Sequence, residues 1–216
     1  MNNEWKILND NIDSACIFIL KQKDMNELKL FMVMLGCKPP GRFTEQHDIF
    51  FGIATSLKEL VSQMNLFWKE ADGKIHIDAW REVTQLNNYA VKITEKETHE
   101  AASQKEKLFF INLGGYKENE FEEYHYKIIM VAADKGEAIR SAKQTAFYKH
   151  VGFAGAESHI DDKYGIDVDD VYEIEEILSA DIKEKYGIAL LPAANNVDDE
   201  LHIGYTKIDK LLKRTF

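Results

Sequence analysis

Four of the seven histidines recur at matching positions of a sequence repeat, and each of these four lies two residues away from an acidic residue. In an extended strand, residues i and i+2 point to the same face, so each pair can present a carboxylate and an imidazole side by side. Two pairs have the glutamate first and two have the histidine first: Glu45/His47 and Glu123/His125, then His76/Asp78 and His159/Asp161.

A carboxylate beside an imidazole suits two kinds of chemistry. Imidazole nitrogen and carboxylate oxygen are ligands of zinc and non-haem metals, so the pairs are candidate ligands of a divalent cation. The same arrangement suits acid–base catalysis, because the carboxylate orients the imidazole. A structural role, in which Glu or His closes a loop through a backbone hydrogen bond, is the alternative. The Glu-x-His pairs are the stronger candidates, and the His-x-Asp pairs are the weaker ones.

The sequence repeats itself at an offset of 78 positions, where residues 29–59 align with 107–137 without a gap. Ten aligned positions are identical, whereas average residue usage predicts about two. His76-Ile77-Asp78 recurs as His159-Ile160-Asp161 at an offset of 83. We therefore predict a tandem duplication whose copies pack on each other. Packing around a pseudo-two-fold axis would bring both Glu-x-His pairs to one shared site.

Hydrophobic periodicity predicts the elements that position these motifs. Alternating or continuous apolar runs predict strands, and the spacing of Leu57, Leu60, Val61 and Met64 predicts a helix. Asp134 is the predicted N-cap of the second helix. The fold class is α+β, with two ββαββ units, sheets rich in antiparallel pairs and one helix per unit. The predicted organisation is an N-terminal extension (1–27), copy 1 (28–94), a polar linker (95–106), and copy 2 with an acidic insertion and a C-terminal strand (107–216).

The apolar run 30–36, the Phe-x-Glu-x-His motif and the His-Ile-Asp motif, all in tandem, resemble a small bacterial family. That family has no known function and occurs in one or two copies per chain. The resemblance implies a bacterial source and supplies no activity or cofactor.

The segments between the first two predicted strands, 36–46 and 114–124, are long for hairpin connections, which usually have about 2–5 residues. Long loops in compact units are often functional, so they form a candidate binding lip. Cys37, near Lys38 and Arg42, is a weaker candidate nucleophile whose pKa positive neighbours would lower. The candidate ligand-binding residues of the loops are Lys38, Arg42, Phe43, Tyr116, Lys117 and Phe121.

The composition limits the partners and the compartment. A net charge of −10 without a basic stripe argues against nucleic acid and against anionic membrane surfaces. Two cysteines cannot build a disulfide framework, which fits a reducing compartment. The N-terminus has no signal-peptide pattern and no apolar run spans a membrane, so the expected location is the cytoplasm.

The sequence leaves two classes of function open. The first is a cytosolic, non-catalytic binding or interaction protein, an intramolecular pseudo-dimer that grips a small molecule or another protein. The second is a hydrolytic or isomerising enzyme that uses Glu45, His47, Glu123 and His125 as metal ligands or acid–base groups. Common phosphate-binding and hydrolase motifs are absent, which favours the first class.

Overall fold

A computed structural model describes residues 28–96, 104–116, 119–144, 166–194 and 197–213. Its ten strands and few helices confirm the predicted α+β class. The strands are β1 (Lys29–Cys37), β2 (Gln46–Ala54), β3 (His76–Val83), β4 (Gln85–Leu86), β5 (Tyr89–Glu95), β6 (Lys107–Tyr116), β7 (Glu123–Ala132), β8 (Ile166–Glu173), β9 (Tyr186–Pro192) and β10 (His202–Lys207). The α-helices are α1 (Val61–Phe67), α2 (Lys135–Ala142), α3 (Ile174–Ile177), α4 (Ala180–Lys185) and α5 (Ile208–Lys213), with 3-10 turns at Leu57–Leu60 and Lys69–Ala71.

The chain forms two compact units. Unit 1 contains the chain up to Val83 together with the segment from Glu200 onward, and unit 2 contains Thr84–Asp199. Among the described residues, no helix is both long enough and apolar enough to cross a bilayer.

The sheet of unit 1 has the strand order β10-β3-β1-β2, and all neighbouring strands are antiparallel. Phe31, Val33 and Leu35 alternate along β1 and pack in one core with Leu60 and Met64 of the helical segment. The opposite face of β2 is also buried at three alternate positions, Ile49, Phe51 and Ile53. Burial on both faces agrees with the continuous apolar runs of the sequence.

A β-bulge interrupts β3 opposite Met34 and Leu35, where Asp78 is the extra residue without a partner on β1. Regular alternation would place Ile77 and Trp80 on opposite faces, yet both pack against the core of unit 1. The bulge accounts for this change of face, because one unpaired residue shifts the alternation by one position. It leaves His76 and Asp78 together near the end of the strand.

Unit 2 contains two three-stranded sheets, β7-β6-β8 and β4-β5-β9. The first has the same order as β2-β1-β3, and its β6–β7 register repeats the β1–β2 register at the offset of 78. A bulge again lies opposite the same point of the central strand, between Asn112 and Leu113. Phe109, Ile111 and Leu113 pack on α2, which Asp134 caps as predicted.

The strands outside these matching sheets depart from the predicted ββαββ units. β5 and β9, the predicted fourth strands of the two copies, pair with each other in the sheet that also contains β4. The C-terminal strand, which the sequence placed with copy 2, pairs instead with β3 of unit 1. Most of the predicted linker lies outside the described residues, but Gln104 near its end accepts a hydrogen bond from the Leu190 backbone.

Candidate metal centre

His47, Gly36 and His76 form one row across three neighbouring strands of unit 1, because Gly36 pairs with both histidines. Residues directly opposite each other on paired strands share a face and have Cβ atoms about 4.5–5.5 Å apart. Glycine has no side chain, so the space between the two imidazoles stays open. A Cβ atom at Gly36 would overlap His76 Nε2 and Asp78 Oδ2.

Four donor groups meet above Gly36, and we call Glu45, His47, His76 and Asp78 the quartet. Asp78 Oδ2 lies 3.3 Å from His47 Nε2 and 3.3 Å from His76 Nε2. Glu45 completes the ring, with Oε1 3.1 Å from His76 Nε2 and Oε2 3.8 Å from His47 Nε2. Carboxylates and imidazoles therefore alternate around the ring, and each donor has two neighbours of the other kind.

The side chain of His76 is only 7 % exposed, and its Nε2 atom is buried without a hydrogen-bond partner. Asp78 Oδ2 is likewise buried and has no hydrogen-bond partner. Two carboxylate oxygens lie within hydrogen-bonding distance of His76 Nε2, so the missing hydrogen bonds reflect direction and not distance.

The other side of the quartet faces solvent. The side chains of Glu45 and His47 are 47 % and 41 % exposed, whereas that of Asp78 is 20 % exposed. Two imidazole nitrogens and carboxylate oxygens suit zinc, manganese or iron. The quartet thus offers protein ligands on its buried side and an accessible position on its open side.

Unit 2 has a related but smaller cluster, the triad of Glu123, His125 and Asp169. Its donor atoms lie within 4.8 Å of one another, and His125 Nε2 is 3.3 Å from Asp169 Oδ2. A Cβ atom at Gly114, which pairs with His125, would overlap the Asp169 carboxylate. All three residues of the triad are exposed.

The register of β8 gives the His-Ile-Asp motif a different counterpart from the predicted one. Gly36 pairs with His76 in unit 1, whereas Gly114 pairs with Asp167 in unit 2. Asp169 is the bulge residue of β8, as Asp78 is of β3. His159 and Asp161, the predicted counterparts, lie outside the described residues. The triad therefore has one imidazole where the quartet has two.

Equivalent ion pairs support this alignment of β3 with β8. Lys29 Nζ donates to Glu82 at 2.8 Å, and Lys107 Nζ donates to Glu173 at 2.7 Å. In unit 2 the hydrogen bond to Glu173 raises the pKa of Lys107. The quartet and the triad each lie within their own unit, and a single site shared by both Glu-x-His pairs stays a prediction.

The candidate ligand-binding residues of the loops belong neither to the quartet nor to the triad. Lys38 and Arg42 are exposed, and the Phe43 side chain is 96 % exposed. Phe121 at the equivalent position of unit 2 is also fully exposed. Neither the side chain of Tyr116 nor Lys117 belongs to the described part. The binding lip stays a prediction.

The basic neighbours of Cys37 in the sequence predict a lowered thiol pKa, and the structure contradicts this prediction. Its side chain is buried in the core of unit 1. Burial raises the pKa of the Cys37 thiol, the Glu45 carboxylate raises it further, and Lys74 opposes the rise. The expected lowering of this pKa is therefore wrong, and Cys37 is a packed residue at the end of β1.

Two aromatic contacts join β3 and β10, and the sequence does not predict them. The ring of Tyr205 on β10 packs against His76 with centroids 4.4 Å apart, and Trp80 stacks on His202 at 3.8 Å. The alternation of residues 201–207 predicts the strand, but the partner of that strand depends on long-range pairing. These contacts have no local signal in the sequence.

Fold and cluster together define an α+β protein with a candidate metal centre. Residues 42–93 match a family model described as Domain of Unknown Function (DUF1543), which confirms the resemblance to an uncharacterised family. The matched segment contains the whole quartet.

A crystal structure of a protein Il1583 from Idiomarina loihiensis is similar in fold. The two proteins are 21 % identical, with a TM-score of 0.56 over 84 % of this chain and 98 % of that chain. At this level of identity, the similarity concerns the fold alone. No curated protein matches the sequence significantly.

Proposed function

We propose that the protein is a metal-dependent binding module whose quartet holds one divalent transition-metal ion. The observation that carries this proposal is the buried, unpartnered Nε2 atom of His76 with two carboxylates beside it. A buried polar atom without a partner costs about 1–3 kcal/mol. A cation would satisfy that nitrogen and the Asp78 oxygen together.

The distances around the ring support a shared ion. Zinc binds imidazole nitrogen and carboxylate oxygen at about 2.0–2.2 Å, so neighbouring ligand atoms around one ion lie roughly 3–3.5 Å apart. Three of the four distances in the ring, from 3.1 to 3.3 Å, fall in this range. A purely structural role would instead favour hydrogen bonds along the axis of the imidazole nitrogen.

A hydrolytic or isomerising enzyme, the alternative from the sequence, would use the same ion. Among the described residues, no contact identifies a nucleophile or a proton donor aimed at a reacting group. Binding is therefore the function proposed, and the accessible side of the quartet is the position where a ligand could join the ion.

Calorimetric titration of metal-stripped, full-length protein with zinc and then manganese tests the proposal. We expect one saturable site that His47→Ala or His76→Ala weakens at least about tenfold. His202→Ala is the matched control, because His202 is a unit 1 histidine outside the quartet. Circular dichroism establishes that each variant is folded, and the half-exposed His47 makes His47→Ala the safer variant.

Undiminished binding in a folded His47→Ala protein would contradict the proposal, as would the lack of any saturable binding by the wild type. His125→Ala in the same series separates the quartet from the triad. If His125→Ala alone removes the binding, the ion belongs to unit 2, and the quartet has a structural role.

A further inference from the structure

A cleft of about 260 Å³ opens in unit 1 between β10 and the turn that precedes β3. Its walls are formed on one side by Gly73, Lys74 and Ile75, and on the other by Tyr205, Lys207 and Asp209. The cleft is separate from the binding lip of the long loop, and the proposed metal site does not use any of its residues.

His76 connects the cleft to the quartet. It pairs with Gly36 on one side and with Lys207 on the other, so the row across the sheet continues from His47 to Lys207. Directly opposite residues on paired strands share a face, which places the Lys207 side chain beside His76. The Tyr205 ring, two residues earlier on β10, packs against the same imidazole.

The charge of the cleft is opposite to that of the quartet. Lys74 and Lys207 line it, and Lys74 Nζ lies 3.9 Å from Asp72 Oδ2. Within the described part of the chain, the Lys207 side chain makes no hydrogen bond or ion pair, while Asp209 contributes one negative charge to the same cleft. The Tyr205 side chain is 61 % exposed and can supply a hydroxyl donor.

We infer that this cleft binds the anionic group, phosphate or carboxylate, of a small ligand that also reaches the metal ion of the quartet. The inference rests on the proposed function, because the Glu45 and Asp78 carboxylates repel an anion when no cation is bound. A divalent ion balances those two charges, and the Lys207 ammonium group then supplies a positive charge beside the ion, with Asp209 as the acidic residue of the cleft lining. The acidic chain thereby gains a local site for an anion.

Cobalt-loaded, full-length protein carrying His125→Ala tests this inference, since that background removes the triad. Visible absorption of the bound cobalt reports ligands that enter or approach its coordination sphere. Inorganic phosphate is titrated in one arm and acetate in the other, which distinguishes the two anion types. We expect a saturable spectral change with at least one anion, and a dissociation constant about tenfold higher in Lys207→Met.

Lys210→Met is the matched control, because Lys210 is an exposed lysine of α5 that does not line the cleft. Cobalt uptake without any anion response overturns the anion site and leaves the metal site standing. Equal responses in Lys207→Met and Lys210→Met also overturn it. Failure to take up cobalt, zinc or manganese overturns the proposed function and this inference together.

Discussion

Gly36 determines the geometry of the quartet although it contributes no side chain. Its pairing with both His47 and His76 places an open space between the two imidazoles. Any side chain at this position would compete with the donor atoms for that space. Gly114 has the same relation to the Asp169 carboxylate in unit 2.

We expect Gly36→Ala to weaken metal binding about tenfold or more, because the added methyl group displaces His76 and Asp78. Gly114→Ala is the matched control, since its methyl group meets the triad and not the quartet. Zinc titration of both variants, with circular dichroism as the test of folding, measures the difference. Equal affinity in the two variants would show that Gly36 has no special relation to the site.

At the scale of single residues, the sequence predicts much of the candidate site. The repeat identifies Glu45 and His47, and the i, i+2 spacing identifies His76 and Asp78, although only as weaker candidates. His76 and Asp78 come close to Glu45 and His47 only because β2 and β3 both pair with β1 at Gly36. The spacing of residues in the sequence does not reveal this pairing. Asp169 lies in an acidic run that is typical of a solvated loop.

The two helical segments begin at equivalent positions with different caps. Asp134 accepts a hydrogen bond from the Glu137 backbone at 2.8 Å, and Glu137 accepts one from the Ala133 backbone at 2.8 Å. This arrangement differs from a capping box in one respect, because Glu137 accepts from the residue before the N-cap and not from the N-cap itself. Ser56, at the equivalent position of unit 1, makes no side-chain cap hydrogen bond.

Asp134→Ala is expected to lower the free energy of unfolding by about 0.5–2 kcal/mol, because it removes the cap of α2. Ser56→Ala is expected to change it by less than about 0.5 kcal/mol, since the replaced hydroxyl does not cap a helix. Urea denaturation followed by circular dichroism measures both values. A loss in Ser56→Ala as large as in Asp134→Ala would refute this account of the two caps.

At the scale of elements, hydrophobic periodicity predicts the apolar central strands well. It fails for a strand that is rich in acidic residues. β1, β2, β6 and β7 are rich in apolar residues, and their predicted positions agree with the structure. β8 occupies Ile166–Glu173 within the acidic part of copy 2 and is followed by a short helix. Its three aspartates have low β-propensity, so its pairing with β6 overrides the local preference.

Unit 1 is assembled from two separate parts of the chain, with the whole of unit 2 between them. The second part carries β10 and α5, and Ile208 and Leu211 of α5 belong to the core of unit 1. Local pattern predicts that 201–207 forms a strand, but it contains no information on which sheet receives it. The prediction that this strand belongs with copy 2 followed chain order, which long-range packing overrides here.

Leu211 and Leu212 test the assembly of the two parts of unit 1. Leu211 is 2 % exposed and Leu212 is 43 % exposed. Leu211→Ala is expected to lower the free energy of unfolding by about 2–5 kcal/mol through loss of buried contacts. Leu212→Ala is expected to change it by less than about 1 kcal/mol. Similar values for the two variants in urea denaturation would contradict the packing of α5 in the core.

The order of the chain also sets the time at which the surroundings of His76 are completed during translation. Lys207 and Tyr205, which flank His76, are synthesised about 130 residues after it, and at 5–20 residues per second this takes roughly 7–26 s. All four quartet residues leave the ribosome long before that. The nascent chain therefore exposes its candidate ligands to cellular ions first and acquires the basic wall of the cleft last.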